Sequence, residues 1–413
     1  MRWWITTLIG LATGVNVCCV GNVAYRRGHS VLNEQLLTGE FDRTQNPSEW
    51  SRPWRYRLAF VEFDDRGELF DRDELTAALG AIAQAKAEEV NAGGPAVVAL
   101  FVHGWKNNAA DSSGNVWGFR QLLAGLSEQY ATPVVGIYVG WRGAVLNAPI
   151  LEDFTFFDRH AKSQNLPGAH MVETLLKIMQ AAKGPRYTDP TISVLVGHSF
   201  GGAVLESALT QSLEDMIEAR PAGGDVQWPA NLIVFLNEAQ EATRSYQLVE
   251  SLMANVTPRD PCQPPGVRQD MPGPAIVSMS STGDYATRAA FPAGQIFARP
   301  FNSLRHYDAP NALGFSSQTP MFFNTTAHLD EFRSHLMDRA DDPDIAAAMK
   351  SCKPYLTTTL GGTEYVLVEK PNARNRTPYW VMHIPTAIVP DHSTIFTTVY
   401  RNLLITLLLA RSY

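Results

Sequence analysis

Residues 191–209 read TISVLVGHSFGGAVLESAL, and this stretch decides the fold. Ile192 to Val196 is a short run of mostly β-branched, apolar residues, as expected of a central strand buried on both faces. From Ala203 to Leu209 the apolar residues recur at helical spacing. Between the two lies Gly197-His198-Ser199-Phe200-Gly201-Gly202. A strand that becomes a helix within so few residues must bend sharply, which forces Ser199 into strained backbone angles. Gly197 and Gly201 are expected where side chains would collide across the bend, and Gly202 lets the helix lie close. The start of the helix then aims its amides at developing negative charge. Ser199 is therefore the candidate nucleophile. A Gly-x-Ser-x-Gly pattern alone is a weak signal, and its place between strand and helix makes it specific. Gly28-His29-Ser30 has neither a second glycine nor a preceding strand and is set aside.

The alternation continues on both sides of this turn. Residues 56–64 pattern as a strand, Asp65-Arg66-Gly67 as a turn, and Asp71 to Val90 as a helix. The apolar run 96–102 predicts a buried strand that ends in His103-Gly104-Trp105. Further strands are expected at 133–139, 191–196, 231–236, 275–280 and 379–384. Helices are expected at about 116–129, 169–182, 202–219, 242–254 and 393–409. Strands alternating with helices imply an α/β chain with a doubly wound, mostly parallel sheet flanked by helices and carrying loop insertions.

Serine is a weak nucleophile at its own pKa and needs a base, which an acid must orient. His392, in the loop between the last strand and the closing helix, is the candidate base; His383, inside that strand, is its competitor. Asp284, in Ser281-Thr282-Gly283-Asp284 beyond a late strand, is the candidate acid, with Glu238 and Glu241 as alternatives. Asp391 adjoins the histidine in sequence, which normally points the two side chains apart. The order Ser199, Asp284, His392 is that of a nucleophile-elbow hydrolase. An oxyanion needs two convergent backbone donors. The expected pair is the amide of Phe200 and that of Trp105, where Gly104 permits close approach. His103 is expected to brace that loop by hydrogen bonds.

With these motifs the chain resembles the bacterial α/β-hydrolase esterases and lipases from about residue 55 onward. The resemblance implies a Ser-His-Asp mechanism acting on carboxylic esters through an acyl-enzyme, with no cofactor and no metal. The sequence departs from the lipases that carry a glycine run after His-Gly, since Trp105-Lys106-Asn107-Asn108 follows instead. Aromatic residues crowd the long segments at 140–168 (Trp141, Phe154, Phe156, Phe157) and after Asp284 (Phe291, Phe297, Phe301, Phe315, Phe322, Phe323). Segments longer than ordinary connectors, at this edge of the sheet, are where a pocket for a small-molecule or lipid ester is expected.

The whole chain bounds these readings. It has 413 residues, 45% hydrophobic and 18% charged, with a formal net charge of -7. Without a dense basic block there is no footprint for nucleic acid. No zinc spacing, phosphate loop or dinucleotide fingerprint is present. Residues 3–24 are apolar, with Arg2 before and Arg26-Arg27 after, which predicts an export signal or membrane anchor at residues 1–27 and a place in the bacterial envelope. Cys18 and Cys19 suggest lipidation, but Val15-Asn16-Val17 lacks the small residue such a site carries. Residues 28–54 then form an extension, and 55–413 the catalytic domain. Cys262 and Cys352 permit one disulfide or remain two thiols. A catalytically silent, anchored binding protein on the same fold is the competing function.

Overall fold

The computed structural model describes residues 21–26, 56–92, 94–143, 159–160, 162–163, 166–220, 226–255, 274–291, 325–328, 332–374 and 377–412. Among them the chain runs β1 (Tyr56–Glu62), α1 (Arg72–Ala92), β2 (Val97–Val102), α2 (Gly114–Tyr130), β3 (Val134–Gly140), α3 (Ala169–Lys183), β4 (Ile192–His198) and α4 (Phe200–Glu218). It continues with β5 (Leu232–Leu236), α5 (Ala242–Asn255), β6 (Ile276–Ser281), β7 (His335–Arg339), α6 (Pro343–Met349), β8 (Leu356–Leu360), β9 (Thr363–Glu369), β10 (Tyr379–Ile384) and α7 (Thr398–Ser412).

Seven of these strands form one sheet in the order β1-β3-β2-β4-β5-β6-β10, and every pair in it is parallel. The period of two along each strand divides its side chains between two cores. Val98, Leu100 and Val102 face one side, where α1, α3, α4 and α5 bury residues such as Ile82, Leu175, Leu205 and Leu248. Val97, Ala99 and Phe101 face the other, where α2 and α7 bury Phe119, Leu123, Leu404 and Leu408. Full burial on both faces explains why these strands read as apolar runs rather than alternating ones. This is an α/β-hydrolase fold. The chain winds outward from β2 to β3, then returns past β2 to β4, so the order reverses between β2 and β4. In open sheets of this kind the crevice beyond the strand ends at such a reversal is where ligands sit.

The structure adds a second sheet that the alternation did not predict, an antiparallel one in the order β7-β9-β8. It lies in the sequence between β6 and β10 and covers the free edge of β10. Ser334 N donates to Val381 O at 3.0 Å, and Val381 N donates to Ser334 Oγ at 3.0 Å. His335 stacks on Trp380 with ring centroids 3.7 Å apart. An unpaired edge strand invites aggregation, and this insertion closes one. Cys352, buried beside Ile345 and Val366, is disulfide-bonded.

One sequence expectation shifts. The closing helix begins at Thr398 rather than near 393, because Thr397 Oγ1 accepts from Tyr400 N at 3.0 Å and caps it there. Of the apolar segment 3–24, only residues 21–24 are described, and they are not helical. Among the described residues no helix is long and apolar enough to cross a membrane. Phe154, Phe156, Phe157, Phe297, Phe301, Phe315, Phe322, Phe323 and Cys262 lie outside the described residues.

Candidate active site

β4 ends at His198, and the next residue takes φ 55 and ψ −125, a conformation that side chains rarely adopt. That residue is Ser199. Its amide donates to Leu236 O at 3.1 Å on β5, and its carbonyl accepts from Gly202 N and Ala239 N at 3.0 and 3.2 Å. The strained turn is thus pinned on both sides. The expected glycines are where contact demands them. A Cβ on Gly197 would lie 2.7 Å from Gly202 Cα, and one on Gly201 would lie 2.3 Å from Val102 O. Gly104 brings the loop after β2 against the nucleophile, since a Cβ there would come within 2.8 Å of Ser199 Cβ.

The three residues separated by almost two hundred positions in sequence meet at this turn. Ser199 Oγ lies 2.7 Å from His392 Nε2, and His392 Nδ1 lies 2.9 Å from Asp284 Oδ1. Burial works to raise the Asp284 carboxyl. The hydrogen bond and charge of His392, with the hydroxyl and amide of Thr287, outweigh it and hold the pKa below its ordinary value. Asp284 is therefore ionised at neutral pH, and a carboxylate only accepts, so His392 Nδ1 carries the proton and Nε2 faces the serine.

The alternatives are placed elsewhere. Glu238 is fully buried against Glu206 and the backbone of Gly202, and burial followed by the charge of Glu206 pushes its pKa well up. Glu241 lies 3.6 Å from His160 Nε2. Asp391 turns into its own loop, accepting from Ser393 N and Thr394 N at 2.8 Å each. His383 lies 3.1 Å from His328 Nδ1 through its Nε2.

The loop expected to supply an oxyanion donor is braced by His103. The buried ring donates from Nδ1 to Gly104 O at 2.9 Å and accepts from Trp141 N at Nε2, 3.1 Å away. Burial lowers its pKa to about 4, so it is neutral and serves as a strut. Phe200 opens α4, where the first amides have no acceptor within the helix. Its ring meets Trp105 at 6.1 Å and His160 at 5.5 Å, and His160 meets Phe291 edge-on at 5.4 Å. An aromatic wall therefore borders the elbow.

Two residues that sequence reasoning passed over hold the base. His198 Nε2 donates to His392 O at 2.7 Å. Burial, helped by His392, keeps the His198 ring neutral with a pKa of about 3. Asn237, at φ 47 just beyond β5, donates from Nδ2 to Asp391 O and His392 O at 3.2 Å each and accepts from Ser281 N at 2.8 Å. It ties the base loop to the strand that leads to the acid. An asparagine at a strand end tolerates positive φ better than most residues, which was the available signal. Among the described residues no group of three or more His, Cys, Asp or Glu is placed to hold a metal ion.

No family model matches the chain, and no curated protein matches it in sequence. Among solved structures it is similar to a Trichoderma reesei cutinase in complex with a C11Y4 phosphonate inhibitor, at 18% identity and a TM-score of 0.21, over 41% of this chain and 68% of the cutinase. It is also similar to the phospholipase PlaB from Legionella pneumophila in complex with thio-NAD, at 12% identity and a TM-score of 0.26, over 67% of this chain and 49% of the phospholipase. The chain thus spans about half the length of that phospholipase.

Proposed function

We propose that this chain is a serine hydrolase that cleaves carboxylic esters through an acyl-enzyme. The observation that carries it is the unbroken line of hydrogen bonds from Ser199 Oγ through His392 to buried Asp284, with the serine on a strained strand-to-helix turn. Ser199 Oγ attacks the ester carbonyl carbon while its proton passes to His392 Nε2. The charge that develops on the carbonyl oxygen is met by the amides of Phe200 and Trp105. As the carbon–oxygen bond to the alcohol breaks, His392 Nε2 returns the proton to the departing alkoxide. A water molecule, deprotonated by the same nitrogen, then attacks the acyl carbon and releases the acid, and Ser199 recovers its proton. Asp284 holds the imidazole in the required tautomer throughout. This route needs no cofactor.

The wall formed by Trp105, Phe200, His160 and Phe291 suits an apolar acyl group, free or in a lipid. The apolar run at 3–24 supports action at the bacterial envelope. A fluorophosphonate should label the chain at Ser199, and Ser199→Ala should lower hydrolysis of p-nitrophenyl esters by about 10⁴ or more. Labelling elsewhere, or activity kept within tenfold in the variant, would remove Ser199 as nucleophile and favour a silent binding protein. Rates along a series of acyl lengths then identify the substrate class.

A further inference from the structure

The hydrogen bonds do not stop at Asp284. Behind it, Thr287 Oγ1 lies 2.5 Å from Asp284 Oδ2 and 3.0 Å from His328 Nε2, and His328 Nδ1 lies 3.1 Å from His383 Nε2. The three residues come from different elements. Thr287 sits on a π-helical turn at Ala286–Ala290, His328 on a 3₁₀ turn at Thr326–His328, and His383 on β10. Such π turns occur often at functional sites.

The chemistry of each partner fixes the direction of each bond. A carboxylate only accepts, so the Thr287 hydroxyl donates to Asp284. Thr287 Oγ1 must then accept from His328 Nε2–H. Burial, aided by Arg288 and Arg333 and opposed by Asp284, pushes the His328 pKa down to about 4, so its ring is neutral and Nδ1 is bare. His383 Nε2–H therefore donates to it. Every bond in the series points toward Asp284, and the amide of Thr287 adds another donor to Oδ1 at 3.0 Å.

We propose that Thr287, His328 and His383 are positioning residues, a one-way series of donors that fixes the second carboxylate oxygen of Asp284 and so the orientation of His392. This rests on the reading of Ser199, His392 and Asp284 as a triad. The structure supports a role beyond packing, because three side chains from three separate elements meet Asp284 Oδ2 and one another at hydrogen-bond distance. The neutral state of His328 matters too, since a second proton on Nδ1 would oppose His383 Nε2–H and break the series.

The test uses the full chain with p-nitrophenyl acetate and a fluorophosphonate. Thr287→Val, which keeps the backbone amide bond and loses the hydroxyl, should lower kcat about tenfold with KM within twofold. Thr287→Ser should restore kcat to within twofold of the parent. His328→Leu, which leaves the Thr287 hydroxyl on Asp284, should lower kcat by less than Thr287→Val, and the double variant should lose no more than Thr287→Val alone, because that hydroxyl is the last link of the series. Should Thr287→Val fail to fold, His328→Leu against His328→Gln decides, the glutamine amide restoring a donor. Single variants with kcat within twofold of the parent, or losses that multiply in the double variant, overturn the proposal. If the parent itself is not labelled at Ser199, the triad reading falls and this proposal with it. Labelling in the parent with equal rates in the variants overturns the positioning role alone.

Discussion

At the scale of single residues, the site depends on groups that never touch substrate. Asn237 shows this most directly, because one side chain meets both the base loop and the strand leading to the acid while its backbone sits at φ 47. Two separate properties are in use there, the tolerance of positive φ and the amide. Asn237→Gly keeps the first and loses the second, whereas Asn237→Ala loses both. The left-handed conformation costs a residue with a Cβ about 1 kcal/mol, and leaving buried partners unpaired costs about 1–3 kcal/mol. Asn237→Ala should therefore be the less stable of the two in thermal unfolding. Both should lose about tenfold in kcat/KM, since His392 O and Ser281 N lose the same partner in each. If Asn237→Gly recovers activity to within twofold of the parent, the amide does not position His392 and the asparagine serves only its turn.

At the scale of elements, the junction of α4 with β5 places two carboxyls together where there is little water. Glu206 lies one and a half turns into α4, and Glu238 follows β5; both are buried. Burial is the main reason that the Glu206 pKa rises to about 7, and burial with the charge of Glu206 pushes the Glu238 pKa up as well. A carboxyl whose pKa is raised on folding favours the folded state fully at pH below the unfolded value. That contribution is lost as pH rises through the folded value. Stability should thus fall as pH rises from about 4.5 through about 7. Glu238→Gln should reduce that fall, since it removes one of the two carboxyls whose pKa folding raises. Denaturant unfolding at several pH values measures it. An unchanged slope would mean that the pair is not what titrates. Asp284 acts in the opposite sense, because its depressed pKa removes stability only as pH falls into the acidic range. The same junction marks where the sequence could be read and where it could not. Strands buried on both faces, such as Val97–Val102, announce themselves because nothing polar interrupts them. The order of Ser199, Asp284 and His392 along the chain follows from which strand each one ends. The antiparallel sheet was hidden because β7 (HLMDR) and β8 (LTTTL) carry more polar than apolar residues, although Gly361-Gly362, at φ 55 and 81 between β8 and β9, has the form of a two-residue hairpin turn. Glu206, Thr287 and His328 could not be read at all, since their roles exist only once β4, β5, β6 and β10 lie side by side.

At the scale of the whole molecule, the open question is how the N-terminal segment joins the catalytic domain. The sequence puts the boundary at residue 27, which lies beyond two residues already seated on the domain. Tyr25 N and Arg26 N donate to the Glu62 carboxylate at 2.9 and 2.7 Å, at the end of the edge strand β1. The Arg26 guanidinium lies 3.8 Å over the Phe60 ring, donates to Ala109 O at 2.8 Å and pairs with Asp111 at 2.8 Å. Asp111 and Ala109 belong to the stretch that continues the Trp105 loop. Arg26 therefore links the start of the chain to the loop expected to hold an oxyanion. Glu62 is 2% exposed, so removing its donors leaves a buried carboxylate without two hydrogen bonds. Each such bond contributes about 2 kcal/mol. The Asp111 pair, two-thirds exposed on the acid's side, adds little. A chain beginning at Gly21 keeps all these contacts and should match the full-length melting temperature within about 2 °C. A chain beginning at His29 loses them and should melt at least about 5 °C lower, at about 2 °C per kcal/mol for a chain of this size. It should also turn over a short ester more slowly, because Ala109 and Asp111 are released together. Equal melting temperatures for the two truncations would show that residues 21–28 contribute nothing to the domain. The full-length chain should sediment with membranes and the Gly21 chain should not, the difference residing in the apolar run before it. Recovery of both in the soluble fraction, with the N-terminus intact, would refute the anchor.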